Sequence, residues 1–267
     1  MNYLKNTFKI VKKNLILILP LFILTVITRY LYTYTFTEEY VKNLLFPPNT
    51  APLAFSKFSN IADALISFLI KGGFIPLLLM FAVIPGTYGM VNKAVDNEKV
   101  SLIDFIPSVK SYFSKYLSIT ITRLIIWVVY AFASLMFVIF SMLFLFIPEN
   151  IHIPIVISVI GIILLIALFI HICQCLWITI VVRENTNTEH GLRKSFKIVY
   201  HAFAFFACVF ISSKILGLAL EVLLYKLVNI PVIRPVLMGI IPAVVQFMLI
   251  TFYLVVYKEK SRPKYAD

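Results

Sequence analysis

Six apolar stretches, most of them near the ~20 residues a helix needs to cross a bilayer, alternate with short polar segments along this 267-residue chain. They predict spans at about 14–34, 74–91, 116–147, 153–182, 198–223 and 236–257. The second is the least uniform. Residues 61–70 are apolar but stop at Lys71-Gly72-Gly73, which predicts a short helix on the outer surface, followed by a span kinked at Pro76 or Pro85. The third is longer than a bilayer requires, which predicts tilt or an extension past the membrane. The longest external loop, 36–60, carries Pro47, Pro48 and Pro52, and the other external turns fall near Pro148-Glu149-Asn150 and at 229–235.

The polar segments between spans have a helical period of their own. Leu4, Phe8, Val11 and Leu15 recur at i, i+4, i+7 and i+11, with Lys5, Lys9 and Lys12 one step round. That pattern predicts an amphipathic helix lying in the headgroup layer. Ser101 and Asp104 have capping-box spacing ahead of Leu102, Phe105, Ile106, Val109 and Phe113, and Pro107 is expected to break or restart that helix. A third apolar face, Leu192, Phe196 and Val199, leads directly into the fifth span.

Charge fixes the threading. Sixteen of the 24 Lys and Arg residues fall in four clusters: Lys5 to Lys13, Lys93 to Lys115, Arg183 to Lys197, and Lys258 to Lys264. Each consecutive pair brackets two apolar stretches, while Lys42, Lys57, Lys226 and Arg234 lie on the other side. Positive residues concentrate on the cytoplasmic face, so the pattern predicts six spans with both ends in the cytoplasm. The expected architecture is an all-α polytopic membrane bundle, one integral membrane domain over 1–267. With 61% hydrophobic and 13% charged residues, the chain lacks the charges to clothe a water-exposed globule. The net charge of +12 is confined to one membrane face, so anionic lipid headgroups are the expected partner and nucleic acid is not. Lys5, Lys9, Lys12, Lys13, Arg193, Lys194 and Lys197 are the candidate headgroup contacts. The Lys-rich start and first apolar run, with Arg29-Tyr30 beyond and no small-residue cleavage site, suit a retained signal-anchor.

Leu4 to Val11 aligns with Leu192 to Val199 with five of eight positions identical, and two of the others pair Lys with Arg and Thr with Ser. The ends of the fourth and sixth spans are also alike, Val181-Val182-Arg183-Glu184 against Val255-Val256-Tyr257-Lys258-Glu259. Three repeats, each an amphipathic helix and a two-span hairpin, account for both likenesses. A biased composition acting with the positive-inside rule would also produce them. With this repeated helix and the hairpins between, the chain resembles a broad group of bacterial six-span membrane proteins related to the membrane domain of glycerophosphoryl diester phosphodiesterase. The resemblance spans about Leu4 to Lys260. It implies the bundle but carries over no phosphodiesterase activity and no functional residues, because the catalytic domain of those enzymes has no counterpart here.

Chemistry-bearing motifs are scarce. No metalloprotease, phosphate-loop or dinucleotide signature occurs, and the 12 carboxylates mostly flank the polar segments. Cys173 and Cys175 point to different sides of a helix and, with Cys208, read as small buried hydrophobes. No cofactor, metal or disulfide is expected. The intramembrane polar residues are the functional candidates, because lipid makes them costly. At 1.5 Å per residue, Arg123 lies roughly 10 Å inside, Gln174 and Gln246 roughly 13–17 Å, His171 slightly deeper, and Lys214 past the midplane with Glu221 on the same helix face. His171, Gln174, Gln246 and Arg123 are placed to meet. Local helix packing and a substrate or proton pathway both accommodate them. The expected function is a non-enzymatic scaffold or accessory protein acting on lipid organisation or a partner complex. The alternative is the membrane subunit of an ABC-2-type exporter or other transporter, with an ATPase docking between Asn92 and Lys115.

Overall fold

A computed structural model of the chain describes residues 2–35, 74–142, 149–227 and 233–261. The outer-surface helix expected at 61–70, the loop at 36–60 and most of the two shorter external turns lie outside the described residues. What is described is helical: α1 (Asn2–Lys13), α2 (Leu19–Thr35), α3 (Phe74–Val95), α4 (Phe105–Met142), α5 (Glu149–Glu184), α6 (Thr188–Leu227) and α7 (Ile233–Ser261), with short 3₁₀ turns at Leu15–Ile18 and Leu102–Asp104. Among the described residues, five helices are long and apolar enough to cross a membrane, and six runs qualify when the bent α1–α2 pair counts as one.

Local chemistry sets the helix ends. α3 stops at Asn97 and α5 at Asn185, both left-handed at φ 63° and 53°, where asparagine is among the few side chains that tolerate the conformation. The chain restarts at Ser101 with the expected capping box, its backbone N–H donating to Asp104 Oδ2 at 3.0 Å. Of the break or restart expected at Pro107, the helix start fits and the break does not. Pro107 falls in the first turn of α4, where a missing N–H costs nothing, and the amphipathic segment continues into the third span as one 38-residue helix. α3 likewise runs unbroken through Pro85.

α1 and α2 meet at 89°. The break sits at Asn14, φ −125° and ψ 37°. The alignment of Leu4 to Val11 with Leu192 to Val199 puts Asn14 opposite Ala202, and Ala202 is the one non-helical residue within α6, at φ −134° and ψ 23°. Thr7 and Ser195, also opposite one another, are both buried, as are Val11 and Val199. The two segments therefore share their burial pattern and the place where the helix turns.

Each apolar hairpin packs less within itself than against its neighbours. The broadest interfaces are α3 on α4, α5 on α6, and α7 on α2, with α1 laid across α7. Each even-numbered span thus seats the odd-numbered span that follows, and α7 closes the ring back to the first. Close approach requires small residues here. A Cβ on Gly89 would lie 2.6 Å from Ser108 Cβ, and one on Gly239 would lie 2.7 Å from Val26 Cγ2. At that second crossing Thr25 Oγ1 donates to the Gly239 carbonyl at 2.7 Å.

The packed core lies at the cationic end. Tyr88, Met90 and Val91 of α3, Ile172, Trp177 and Val181 of α5, and Phe247, Tyr253 and Leu254 of α7 are buried. At the far end Val128, Phe132 and Phe137 of α4 and Ile157, Ile162 and Leu165 of α5 are exposed, a surface only lipid solvates well. Of the cysteines, Cys173 is buried but Cys208 lies exposed on α6, contrary to its reading as a buried residue.

Candidate functional site

Ion pairs lace the cationic end together. Asp96, just past α3, pairs with Arg183 of α5 and, at 2.9 Å, with Lys258 of α7. Arg183 also donates to Asn92 Oδ1 at 2.9 Å, and Lys258 to the Val95 carbonyl at 2.7 Å. The hydrogen-bonded Arg183 guanidinium, followed by Lys258, holds the Asp96 carboxyl below the usual carboxylate range against the opposing effect of burial. Glu184, at the end of α5, accepts from Lys194 Nζ at 2.5 Å and Tyr257 Oη at 2.6 Å. Lys115 Nζ reaches Asn185 Oδ1 at 2.6 Å. Buried Trp177 donates its indole N–H to the Thr188 carbonyl at 2.6 Å, fixing the α5–α6 turn. Asn6, the α1 residue aligned with Lys194, donates to Glu259 Oε1 at 2.8 Å. Matching positions of the two amphipathic segments thus bind a glutamate at the end of an even-numbered span, α5 for Lys194 and α7 for Asn6.

This arrangement divides the candidate headgroup contacts. Lys5, Lys9, Lys12 and Lys13 are exposed on α1, and Lys197 is exposed on α6. Arg193 is exposed but pairs with Glu189 one turn back at 2.6 Å. Lys194 is drawn inward by Glu184 and the Tyr257 ring. The α1 stripe is also split. Val11 turns into the core with Thr7, while Leu4, Phe8 and Leu15 stay exposed. Around the helix run, in order, a bundle-facing sector, an exposed apolar sector and a lysine sector. Beside α1 a cavity of about 600 Å³ is lined by Lys9, Lys13, Asn97, Glu98, Lys258 and Glu259 among others.

Within the apolar layer, Gln174 and Arg123 do meet. Gln174 Oε1 accepts from Arg123 Nε at 3.1 Å and from Trp127 Nε1 at 3.0 Å. Two donors on one oxygen fix the amide's orientation and leave its buried nitrogen without an acceptor. His171 stands one turn along α5, its Nε2 3.7 Å from Cys175 Sγ and its ring 4.8 Å from the Phe210 ring. Half-buried Gln246 hydrogen-bonds to neither Gln174 nor Arg123, so it does not join the cluster placed around it. Lys214 and Glu221 share one lateral groove between α6 and α7, about 310 Å³ in volume. Glu221 is bound by Arg29 of α2 at 2.5 Å. Sequence reasoning used Arg29 only as a flank of the first span and missed this pair. A lone arginine near the outer end of an otherwise apolar helix is itself the signal that a carboxylate is nearby. Asp96, Glu184 and Trp127 were missed as well, since nothing local marks them.

Among the described residues, no three His, Cys, Asp or Glu side chains are placed to hold a metal ion. The described polar groups tie helices together at one end and form an acid-poor, cation-rich cluster within the apolar layer. Fold and site together define a multi-pass helical membrane protein. No family model, curated protein or solved structure matches the chain. The resemblance to the six-span group therefore rests on the repeated helix alone.

Proposed function

We propose that the protein is a non-catalytic component of a bacterial plasma membrane, with both ends cytoplasmic, that organises inner-leaflet lipid and seats a partner at its cationic end. One observation carries this reading. α1 meets α2 at 89° and presents exposed Leu4 and Phe8 beside exposed Lys5, Lys9, Lys12 and Lys13, with exposed Leu15 just past the bend. A helix lying in the membrane plane, with apolar residues toward acyl chains and lysines toward phosphates, suits an anionic leaflet, each lysine contributing about 1 kcal/mol. The shared turn at Asn14 and Ala202, and the matching contacts of Asn6 and Lys194, support a repeated unit and with it a kinship to the six-span group.

The test uses the reconstituted full chain. Brominated phosphatidylglycerol should quench a probe at Phe8 more strongly than brominated phosphatidylcholine. The preference should fade with salt and with Lys5, Lys9, Lys12 and Lys13 replaced by Gln. Equal quenching by both lipids would overturn the lipid reading. Hydrolase turnover by the purified chain would overturn the non-catalytic one, and a stoichiometric ATPase in membrane pull-downs would favour the exporter subunit instead.

A further inference from the structure

Lys214 lies twelve residues beyond the turn at Ala202, about 18 Å along α6, in an apolar layer about 30 Å thick. It is past the middle, with roughly 12 Å still to the far boundary, more than a lysine stem spans. It is exposed on the bundle surface. An ammonium group at that depth is costly and marks a functional site with a partner to be named.

Among the described residues, the surrounding groups supply no free acid. Glu221 lines the same groove, but its carboxylate is held by Arg29 at 2.5 Å. Lys214 Nζ rests 5.5 Å from the centre of the Phe210 ring, whose neighbour is the His171 ring. Among the described residues, the charged groups that act on His171 are Arg123 and Lys214, both cations. Arg123 itself bonds to the neutral Gln174 amide. Among the described residues, three cations, Arg29, Arg123 and Lys214, thus stand with one carboxylate within or near the apolar layer. A weak cation–π contact does not balance that excess.

The groove also says how its ligand arrives. Besides Lys214 and Glu221 it is walled by Gly217, Leu218, Ile241, Pro242 and Val245, and Leu218 is exposed at its edge. It opens sideways on an apolar surface. A water-borne anion would have to leave its hydration to enter, whereas an amphiphile diffusing in the leaflet meets it directly. About 310 Å³ accommodates a small headgroup and the first few methylenes.

We infer that the α6–α7 groove binds the anionic headgroup of an amphiphile, a long-chain carboxylate or a lipid phosphate, with Lys214 as its counter-ion and the acyl chain along exposed Leu218. This rests on the lipid reading above only in drawing the ligand from the bilayer.

Native mass spectrometry of the full chain in detergent, with oleate, dioleoyl phosphatidic acid, methyl oleate and butyrate as probes, tests it. Wild type should retain oleate or phosphatidic acid at least tenfold over methyl oleate, and butyrate should not compete. Which of the two is retained identifies the source of the anion. Lys214→Met should lose that retention tenfold or more while melting no lower than wild type, because it removes an uncompensated charge. Lys214→Arg should keep it. Replacing Lys5, Lys9, Lys12 and Lys13 by Gln should leave retention unchanged, so failure of the surface reading is distinguishable from failure of the groove. Equal retention by Lys214→Met and wild type, equal binding of methyl oleate, or displacement by butyrate would overturn the inference. So would a photocrosslinker at Leu218 that captures a protein helix in place of lipid. Should Lys214→Met fail to fold, Lys214→Gln against Lys214→Arg decides: equal retention overturns it, and loss in Gln alone upholds it.

Discussion

Asp96 is the residue on which three helix ends converge. Arg183 and Lys258 both depend on it, so Asp96→Asn leaves two partly buried cations with a neutral partner. A loss of about 2–3 kcal/mol is expected, read as a drop in melting temperature in detergent. Its pH dependence has a definite sign. The folded carboxyl titrates below its unfolded value of about 3.9. Its stabilisation is therefore complete above that value and lost as pH falls through the lowered folded one. An acid melt should show wild type and Asp96→Asn converging below pH ~4. Gly89 makes a second residue-scale prediction. Ser108 Cβ lies 2.6 Å from where its Cβ would stand, so Gly89→Leu should cost about 1–3 kcal/mol through forced separation of α3 and α4. An equal melting temperature would show that the crossing tolerates bulk. The sequence displayed Arg123, Gln174 and Lys214 as polar residues at the right depths, because lipid makes any such residue conspicuous. It did not display Asp96 or Glu184 as junctions. Each is an ordinary acid near a helix end, and its meaning comes from chain segments 87 and 73 residues away.

At the scale of elements, α1 carries the sharpest prediction. Spin labels at Leu4, Phe8 and Leu15 should be accessible to oxygen, which partitions into lipid, and labels at Lys5 and Lys12 to a water-soluble nickel complex. A label at Thr7 should be shielded from both, since Thr7 is only 2% exposed. Uniform access to the nickel complex would remove α1 from the membrane surface. The sequence period marked this helix correctly but assigned Val11 to the same face as Leu4 and Phe8. A 3.6-residue period finds where apolar residues fall on a helix, not whether two neighbouring apolar sectors meet the same surface. Pro107 left a break and a restart open for a related reason, and only the restart fits α4. A proline in the first turn fits a helix start as well as a helix end, and Ser101 with Asp104 sets that start a few residues earlier.

At the scale of the whole molecule, the apolar runs were legible because membrane crossing is a matter of length and composition. The order of packing was not, since lipid-facing and helix-facing residues are equally apolar. Topology remains open to a direct measurement. In a chain cleared of Cys173, Cys175 and Cys208, cysteines at Asn97, Asn185 and Glu259 should resist an impermeant thiol reagent applied outside cells, and one at Arg234 should react. Labelling at Asn97 would overturn the expected threading. The ring of contacts closed by α7 bears on synthesis. Of the described helices α7 leaves the ribosome after the others, yet it covers α1, α2, α3, α5 and α6. Until it arrives, the first helices wait in the bilayer with Val11, Leu21 and Leu24 uncovered and Thr25 lacking the Gly239 carbonyl. A chain released after Leu227 would keep its hydropathy and its threading but not its assembled core. Cells should treat such a truncation as an orphan for membrane proteolysis, and supplying α7 as a separate peptide should rescue its lifetime.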